Sequence, residues 1–112
     1  MTNQQLGKIG EDMAAQLLQA KGYEILQRNY RCREGEVDII AEQSGEICFI
    51  EVKTRQSFRY GRPCESVTEQ KKRHIRAAAV RYLHELREQG DFPGRIDFQV
   101  IEIVAQQMRH AF

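Results

Sequence analysis

The sequence predicts a mixed α/β fold in which two helices pack against a small sheet in the order α-β-β-β-α-β. Two stretches with apolar residues at helical spacing predict the helices, and four short stretches rich in β-branched and aromatic residues predict the strands. The chain of 112 residues is long enough for one core, so residues 1–112 are expected to form one domain. No apolar run approaches the roughly 20 residues of a membrane span, and the polar N-terminus lacks a secretory signal. A cytoplasmic protein without membrane contact is therefore expected.

Both predicted helices have start and stop signals. The first covers about 4–21 and ends before Gly22, and its apolar stripe has four residues at helical spacing: Leu6, Ile9, Met13 and Leu17. The second begins at the capping box Ser66-Val67-Thr68-Glu69 and ends near Gly90. The intervening residues 56–65 are predicted to form a loop that contacts a ligand.

The strands are predicted from apolar stretches bounded by turn residues. A short strand at 23–29 and a basic connection at 30–35 lead into a hairpin over 36–54 that turns at Ser44-Gly45. The last strand is predicted at 95–104, and residues 105–112 have no predicted structure. The three cysteines lack a Cys-x-x-Cys spacing, which favours reduced thiols over a disulfide framework or a zinc site.

The hairpin brings two acids and a lysine together. Whether its loop has two residues or four, Asp38 lies opposite Glu51, with Cβ atoms roughly 4.5–5.5 Å apart. Lys53 points to the same face as Glu51, because side chains alternate along a strand. Two carboxylates about 5 Å apart repel each other by roughly 3 kcal/mol at an effective dielectric constant near 20.

A hard divalent cation with oxygen ligands would offset this repulsion, so Mg²⁺, or Mn²⁺ in its place, is the expected cofactor. A metal held by two acids beside a lysine is suited to phosphodiester hydrolysis. The metal activates water, and the ammonium group orients that water or neutralises the developing charge. The sequence therefore predicts a metal-dependent nuclease.

Basic residues follow this cluster directly. The net charge of the chain is +1, yet residues 53–76 contain eight basic residues and two acids. This distribution suits a polyanionic partner, although a solvated helix face followed by a charged loop would produce it too. The candidate residues for nucleic-acid contact are Arg55, Arg59, Gln70, Lys71, Lys72 and Arg73.

These motifs resemble a known group of proteins. An acid on one strand followed by Glu-x-Lys on the next is similar to the PD-(D/E)xK nuclease superfamily, which has a restriction-endonuclease-like fold. The blocks Gly7-x-x-Gly10-Glu11, Gly35-Glu36-x-Asp38 and Glu51-Val52-Lys53-Thr54-Arg55 resemble the bacterial YraN family, itself similar to archaeal Holliday junction resolvases. Val37 stands where the superfamily has the proline of its name.

The resemblance implies a role for each matching residue. Asp38 and Glu51 would ligate the metal together with the backbone carbonyl of Val52. Lys53 would orient the water, and Glu11 would be the acid that the first helix supplies. The resemblance also implies DNA as the substrate in preference to RNA, with branched or structured DNA in particular. A homodimer would place two sites on two strands, although no sequence feature identifies an interface.

Two alternatives remain open at the level of sequence. The order α-β-β-β-α is also that of double-stranded RNA-binding domains, which would make the chain a non-catalytic RNA-binding module. That alternative explains the basic start of the second helix but not the opposed acids or the last strand. The other alternative is a nuclease fold that binds nucleic acid without turnover.

Overall fold

A computed structural model describes residues 2–55, 67–91 and 93–104. The elements occur in the predicted order: α1 (Asn3–Ala20), β1 (Glu24–Cys32), β2 (Gly35–Gln43), β3 (Glu46–Arg55), α2 (Glu69–Glu88) and β4 (Arg95–Val104). The sheet has the order β1-β2-β3-β4, with antiparallel β1–β2 and β2–β3 pairs and a parallel β3–β4 pair. This mixed sheet with flanking helices confirms the predicted α/β layout. Neither described helix is long and apolar enough to cross a membrane.

The β2–β3 hairpin has the predicted register. Its two-residue loop has positive φ values at Ser44 (51°) and Gly45 (79°), as a type I′ turn requires. Pairing runs regularly from the loop to Ile39 and Ile50, so the next positions along the two strands are Asp38 and Glu51.

Two boundaries differ from the prediction. The 30–35 connection is wrong, because β1 continues to Cys32 and pairs with the start of β2 across a two-residue turn. The capping box from Ser66 is also wrong. The N-cap of α2 is Thr68, whose hydroxyl accepts a hydrogen bond of 3.1 Å from the Lys71 backbone N–H.

Each face of the sheet packs against one helix. The α1-side core consists of Ala14, Ala15, Leu18, Ile39, Ala41, Cys48 and Ile50. The α2-side core consists of Tyr30, Val37, Ile40, Ile47, Phe49, Ile75, Ala78, Ala79 and Tyr82. Tyr82 makes edge-to-face contacts with Tyr30 and Phe49 at ring distances of 5.3 and 6.1 Å.

Helix α1 approaches the sheet through small residues. A Cβ atom on Gly10 would lie only 1.9 Å from Thr54 Oγ1, so a glycine is required for this close approach. The predicted apolar stripe is wrong in this respect, because Ile9, Met13 and Leu17 are 42%, 49% and 43% exposed. Helical spacing alone did not distinguish the stripe of large residues from the neighbouring stripe of small ones.

The alternation of side chains between the two faces of the sheet reverses at Asn29 in β1 and at Asp38 in β2, and we call this the face inversion. Asn29 has a left-handed backbone (φ 53°), and its neighbours point to opposite faces of the sheet although they are two residues apart. Arg28 contacts α1, whereas Tyr30 lies in the α2-side core. This face inversion places Asp38 between the two layers of the protein.

Candidate functional site

Asp38 lies beside Glu51 where the regular pairing of β2 with β3 ends. Its Oδ2 atom accepts a hydrogen bond of 2.8 Å from the Val52 backbone N–H, which fixes the carboxylate against β3. Burial raises the pKa of Asp38 from its ordinary 3.8 to about 6, although the Val52 hydrogen bond opposes the rise. The negative charges of Glu51 and Glu11 add to it. Asp38 is therefore an acid that a nearby cation would strongly favour in its ionised form.

Glu51 is buried, with 5% of its surface exposed, and contacts two lysines. Its Oε1 atom lies 2.5 Å from Lys71 Nζ and 3.7 Å from Lys53 Nζ. Lys71 stands in the first turn of α2, where a positive charge opposes the helix dipole, so Glu51 compensates an otherwise unfavourable position. The two lysines also reduce the repulsion between the acids, a contribution that the sequence prediction assigned to a metal alone.

The two lysines differ in how firmly they hold their protons. Burial lowers the pKa of Lys53, and the neighbouring Lys71 ammonium lowers it further. Burial is the largest single influence on Lys71 and opposes its charge, but the hydrogen bonds to Glu51 and Lys53 and the charges of Glu51 and Asp38 together raise the pKa of Lys71. Lys53 is thus the group that releases a proton more readily, and Lys71 is the fixed positive charge.

Arg55 is paired with an acid that the sequence prediction missed. Its Nε atom lies 3.1 Å from Glu102 Oε1, and these side chains are 18% and 8% exposed. Glu102 is level with Lys53 in the β3–β4 pair. Both carboxylate oxygens of Glu102 are buried without an aligned hydrogen bond, so the contact with Arg55 is a charge pair with poor hydrogen-bond geometry. The one signal in the sequence that could have indicated Glu102 is its position as an acid among the apolar residues of a strand.

Glu11 is engaged with β1. It accepts hydrogen bonds from Arg28 Nε at 3.2 Å and from Asn29 Nδ2 at 2.9 Å. Arg28 also donates to Asp12 at 2.6 Å. Glu11 therefore holds β1 at the face inversion opposite Asp38, and its role in catalysis stays a prediction.

The predicted nucleic-acid contacts other than Arg55 divide into three groups. Gln70 and Lys71 line a cleft of about 580 Å³ together with Arg31 and His74. Lys72 and Arg73 lie farther along α2; Lys72 pairs with Glu69 at 3.2 Å, and Arg73 is exposed. Arg59 and the predicted loop lie outside the described residues.

A second group of potential metal ligands lies toward the opposite end of β3. Among the residues that the structure describes, Glu46, Cys48 and Asp97 are the only three such ligands within 4.8 Å of one another. The Cys48 thiol is 3.6 Å from a Glu46 carboxylate oxygen and accepts a contact from the Gln99 amide at 3.6 Å. Burial raises the pKa of Cys48 to about 11, so the thiol remains protonated. Hydrogen bonds within the group account for its arrangement.

A mixed sheet with an acid on one strand and Glu-x-Lys on the next is the arrangement of PD-(D/E)xK nuclease-like proteins. A sequence model described as "Uncharacterised protein family UPF0102" matches residues 10–103. The chain belongs to this family, which confirms the YraN-type resemblance.

Relatives from several bacteria support the assignment. The chain is 43% identical over 104 residues to a UPF0102 protein of Syntrophomonas wolfei, covering 93% of this chain and 88% of the relative. It is 47% identical over 104 residues to one of Chlorobium phaeobacteroides, covering 93% and 80%. It is 53% identical over 83 residues to one of Moorella thermoacetica, covering 74% and 69%.

Proposed function

We propose that the protein is a metal-dependent nuclease that hydrolyses DNA phosphodiester bonds. The observation that carries this proposal is the constellation of Asp38 and buried Glu51 with Lys53 and Lys71 beside them. A buried carboxylate beside a half-buried one costs free energy, and a fold that needed only stability would do better with apolar residues there. The constellation is therefore best explained by chemistry.

The donor set fits a hard divalent cation. Asp38 and Glu51 supply carboxylate oxygens, and Mg²⁺ commonly binds one or two carboxylates while keeping water and substrate phosphate as its remaining ligands. The N–H and C=O groups of one residue point to the same side of a strand, so the Val52 carbonyl should face Asp38 as its N–H does. These three groups would hold Mg²⁺, or Mn²⁺ in its place. The bound metal would supply an activated water and would stabilise the leaving oxygen.

The side chains around the acids have separate tasks in this proposal. Lys53, with its lowered pKa, orients the attacking water and can accept a hydrogen bond in its neutral form. Lys71 keeps its charge and stabilises the negative charge that develops on the phosphate. Arg55 would contact a phosphate next to the cleaved bond, with Glu102 holding its guanidinium in place. Glu11 contributes by fixing β1 opposite Asp38.

Two clefts, one lined by Lys71 and the other by Glu11, support a nucleic-acid partner. One has a volume of about 580 Å³ and includes Lys71 and Arg31. The other, of about 500 Å³, includes Lys8, Arg28 and again Arg31. Together they form a partly basic path past the end of the hairpin, suited to a phosphate backbone.

We propose DNA in preference to RNA, branched or structured DNA in particular, and a cytoplasmic setting in which the thiols stay reduced.

The alternative is a module that binds nucleic acid without cutting it. The 2.5 Å pair between Lys71 and Glu51 favours it, because a cation would have to compete with this lysine for the carboxylate. The RNA-binding variant of this alternative is weakened by β4. That strand pairs with β3 along its whole length and is therefore integral to the sheet.

Cleavage and metal binding separate the two functions. Labelled four-way junction, flap, single-stranded and duplex DNA, with a duplex RNA beside them, would be incubated with Mg²⁺, Mn²⁺ or EDTA. The variants Glu51→Gln and Lys53→Ala are expected to abolish cutting, and calorimetry is expected to detect Mg²⁺ binding in wild type and Lys53→Ala but not in Glu51→Gln.

Lys21→Ala is the control. This exposed lysine lies near Gln43, at the turn end of the β2–β3 hairpin, and is not a candidate contact, so its loss should leave the cleavage rate within about twofold of wild type. Binding without cutting on every substrate and with both metals would refute the nuclease proposal and support the binding module. Cutting that survives in EDTA would refute the metal dependence.

A further inference from the structure

Strand β4 is an open edge of the sheet. Its ten residues pair with β3 without a register shift, and no described residue pairs with its other side. Such an edge exposes backbone donors and acceptors, and proteins usually interrupt it with a bulge, a twist or charges. The opposite edge, β1, has both a register shift between Ile25 and Gln27 and the left-handed Asn29. The regular β4 edge is therefore suited to receive another strand.

Large apolar side chains surround this edge. Ile96, Phe98 and Val100 are 46%, 47% and 42% exposed on the face that α2 leaves uncovered, because α2 packs on β1 and β2. On the other face α1 packs mainly on β3 and reaches β4, and its stripe of Ile9, Met13 and Leu17 is exposed. Exposed apolar groups clustered at one edge indicate an interaction surface.

We propose that β4 pairs antiparallel with β4 of a second copy of this chain around a two-fold axis, which gives a continuous eight-stranded sheet. Directly opposed residues of an antiparallel pair share a face. With the axis at Phe98, that residue opposes the second copy's Phe98, and Ile96 opposes the second copy's Val100. On the other face Asp97 opposes Gln99, so a carboxylate meets an amide. No like charges oppose each other, which makes the strand complementary to itself.

The same arrangement brings the two α1 helices near each other. The two β3 strands would be three strand spacings apart, or roughly 14 Å. A helix with its side chains is about 10–12 Å wide, so two α1 helices lying over the β3 strands would be neighbours with a gap of roughly 2–4 Å between them. One two-fold axis thus partners the backbone edge of β4 and its exposed apolar side chains, and it brings the two α1 stripes near each other.

This dimer would place two candidate sites on one face. The two-fold axis is perpendicular to the sheet, so Glu51 and Lys53 of both copies point to the same side. Glu51 pairs with Val100, which is two residues from the axis. The two Glu51 positions are therefore three strand spacings apart across the sheet and four residues apart along it, or roughly 20 Å in all. This consequence rests on the proposed function: two sites on one face would act on two strands of one DNA.

Sedimentation of the full chain over a wide range of concentrations measures the association. Wild type is expected to dimerise, and Ile96→Lys is expected to weaken the dimer by more than about tenfold, as for loss of a central apolar contact. In the double variant Ile96→Lys with Val100→Glu, opposite charges face each other across the axis, and dimerisation should recover. The matched control, Ile96→Lys with Val100→Lys, should stay monomeric.

Oxidative cross-linking tests the register independently of stability. Phe98→Cys places two thiols at the axis, with Cβ atoms roughly 4.5–5.5 Å apart, and is expected to form an intermolecular disulfide that wild type does not form. A folded monomer at all concentrations would overturn the proposal. Hydrogen exchange of the β4 backbone amides offers a second way to overturn it. If these amides are protected in a monomer and lose that protection when residues 105–112 are removed, the C-terminal segment covers the edge instead of a second copy. A dimer that cuts no DNA would sink the proposed function and leave the dimer standing, and a monomer that cuts would do the reverse.

Discussion

Asp38→Asn is expected to stabilise the metal-free protein, because ionised Asp38 carries a cost in the folded state. Burial raises the pKa of Asp38 from 3.8 to about 6, so the folded chain binds this proton more tightly than the unfolded chain. The contribution of Asp38 to the free energy of unfolding is therefore most favourable below pH 3.8, and it declines as the pH rises through 6. At neutral pH the full cost is present.

The size of the effect follows from the shift. About two pKa units correspond to roughly 3 kcal/mol, and partial exposure of the carboxylate reduces this to about 1–2 kcal/mol. Asparagine keeps an oxygen that can accept the Val52 N–H, so the hydrogen bond of 2.8 Å is retained. Asp38→Asn should thus be about 1–2 kcal/mol more stable than wild type at pH 7 in EDTA, and the difference should vanish near pH 4.

Urea unfolding at a series of pH values in EDTA measures this difference. Glu36→Gln is the control, because Glu36 lies on the same strand but forms an exposed ion pair with Arg31, and it should change stability by no more than about 0.5 kcal/mol. Added Mg²⁺ should stabilise wild type and leave Asp38→Asn unchanged. If Asp38→Asn loses stability at pH 7 in EDTA, Asp38 makes a net favourable contribution and the reasoning is wrong.

Three further substitutions test other parts of the structure. Gly10→Ala should destabilise the protein by about 1–3 kcal/mol or more in urea unfolding, because its Cβ would overlap Thr54. Tyr30→Phe should cost about 1 kcal/mol in the same assay, through loss of the 2.9 Å hydrogen bond to Glu85 with the ring contacts kept. Lys71→Gln should raise the pKa of Lys53 toward its ordinary value, measured by NMR titration of the lysine side chain, since Lys71 helps to lower it.

Each of these substitutions has a control or a contrary result. Gly7→Ala has open space around the new methyl group and should be neutral or gain up to about 1 kcal/mol, whereas an equal loss at both glycines would contradict the close approach at Gly10. Tyr30→Phe without a change in stability would mean that the hydrogen bond merely replaces one to water. An unchanged Lys53 pKa in Lys71→Gln would show that burial alone lowers it.

The sequence predicted those parts of the fold that local patterns determine. Alternating apolar residues and a Ser-Gly turn were enough for the β2–β3 register, and β4 was predicted at 95–104, as observed. The side of α1 that packs on the sheet was wrong, because close packing through Gly10 and Ala14 depends on the shape of the partner surface. Hydrophobicity carries no information about that shape.

The candidate site was predictable only where its residues share one hairpin. Asp38, Glu51 and Lys53 follow from the register of two adjacent strands. The contacts of Glu51 with Lys71 and of Arg55 with Glu102 join segments far apart in the chain, and no local pattern reports such pairs. Without the tertiary structure, Lys71 was one basic residue among several.

The face inversion at Asn29 makes the distance between Asp38 and Glu51, the proposed metal ligands, depend on the positions of both helices. Beyond Asn29 the tip of the β1–β2 hairpin belongs to the α2 layer, where a Cβ on Gly35 would meet the His74 carbonyl oxygen at 2.5 Å. The rest of the hairpin contributes to both cores, with Ile39 on the α1 side and Ile40 on the α2 side. Asp38 lies between the tip and the rest of this hairpin. Lys71 of α2 contacts its neighbour Glu51 directly. In the proposed nuclease, a phosphate that displaces α2 would therefore change the distance between the two carboxylates, so the affinities for DNA and for the metal would be coupled.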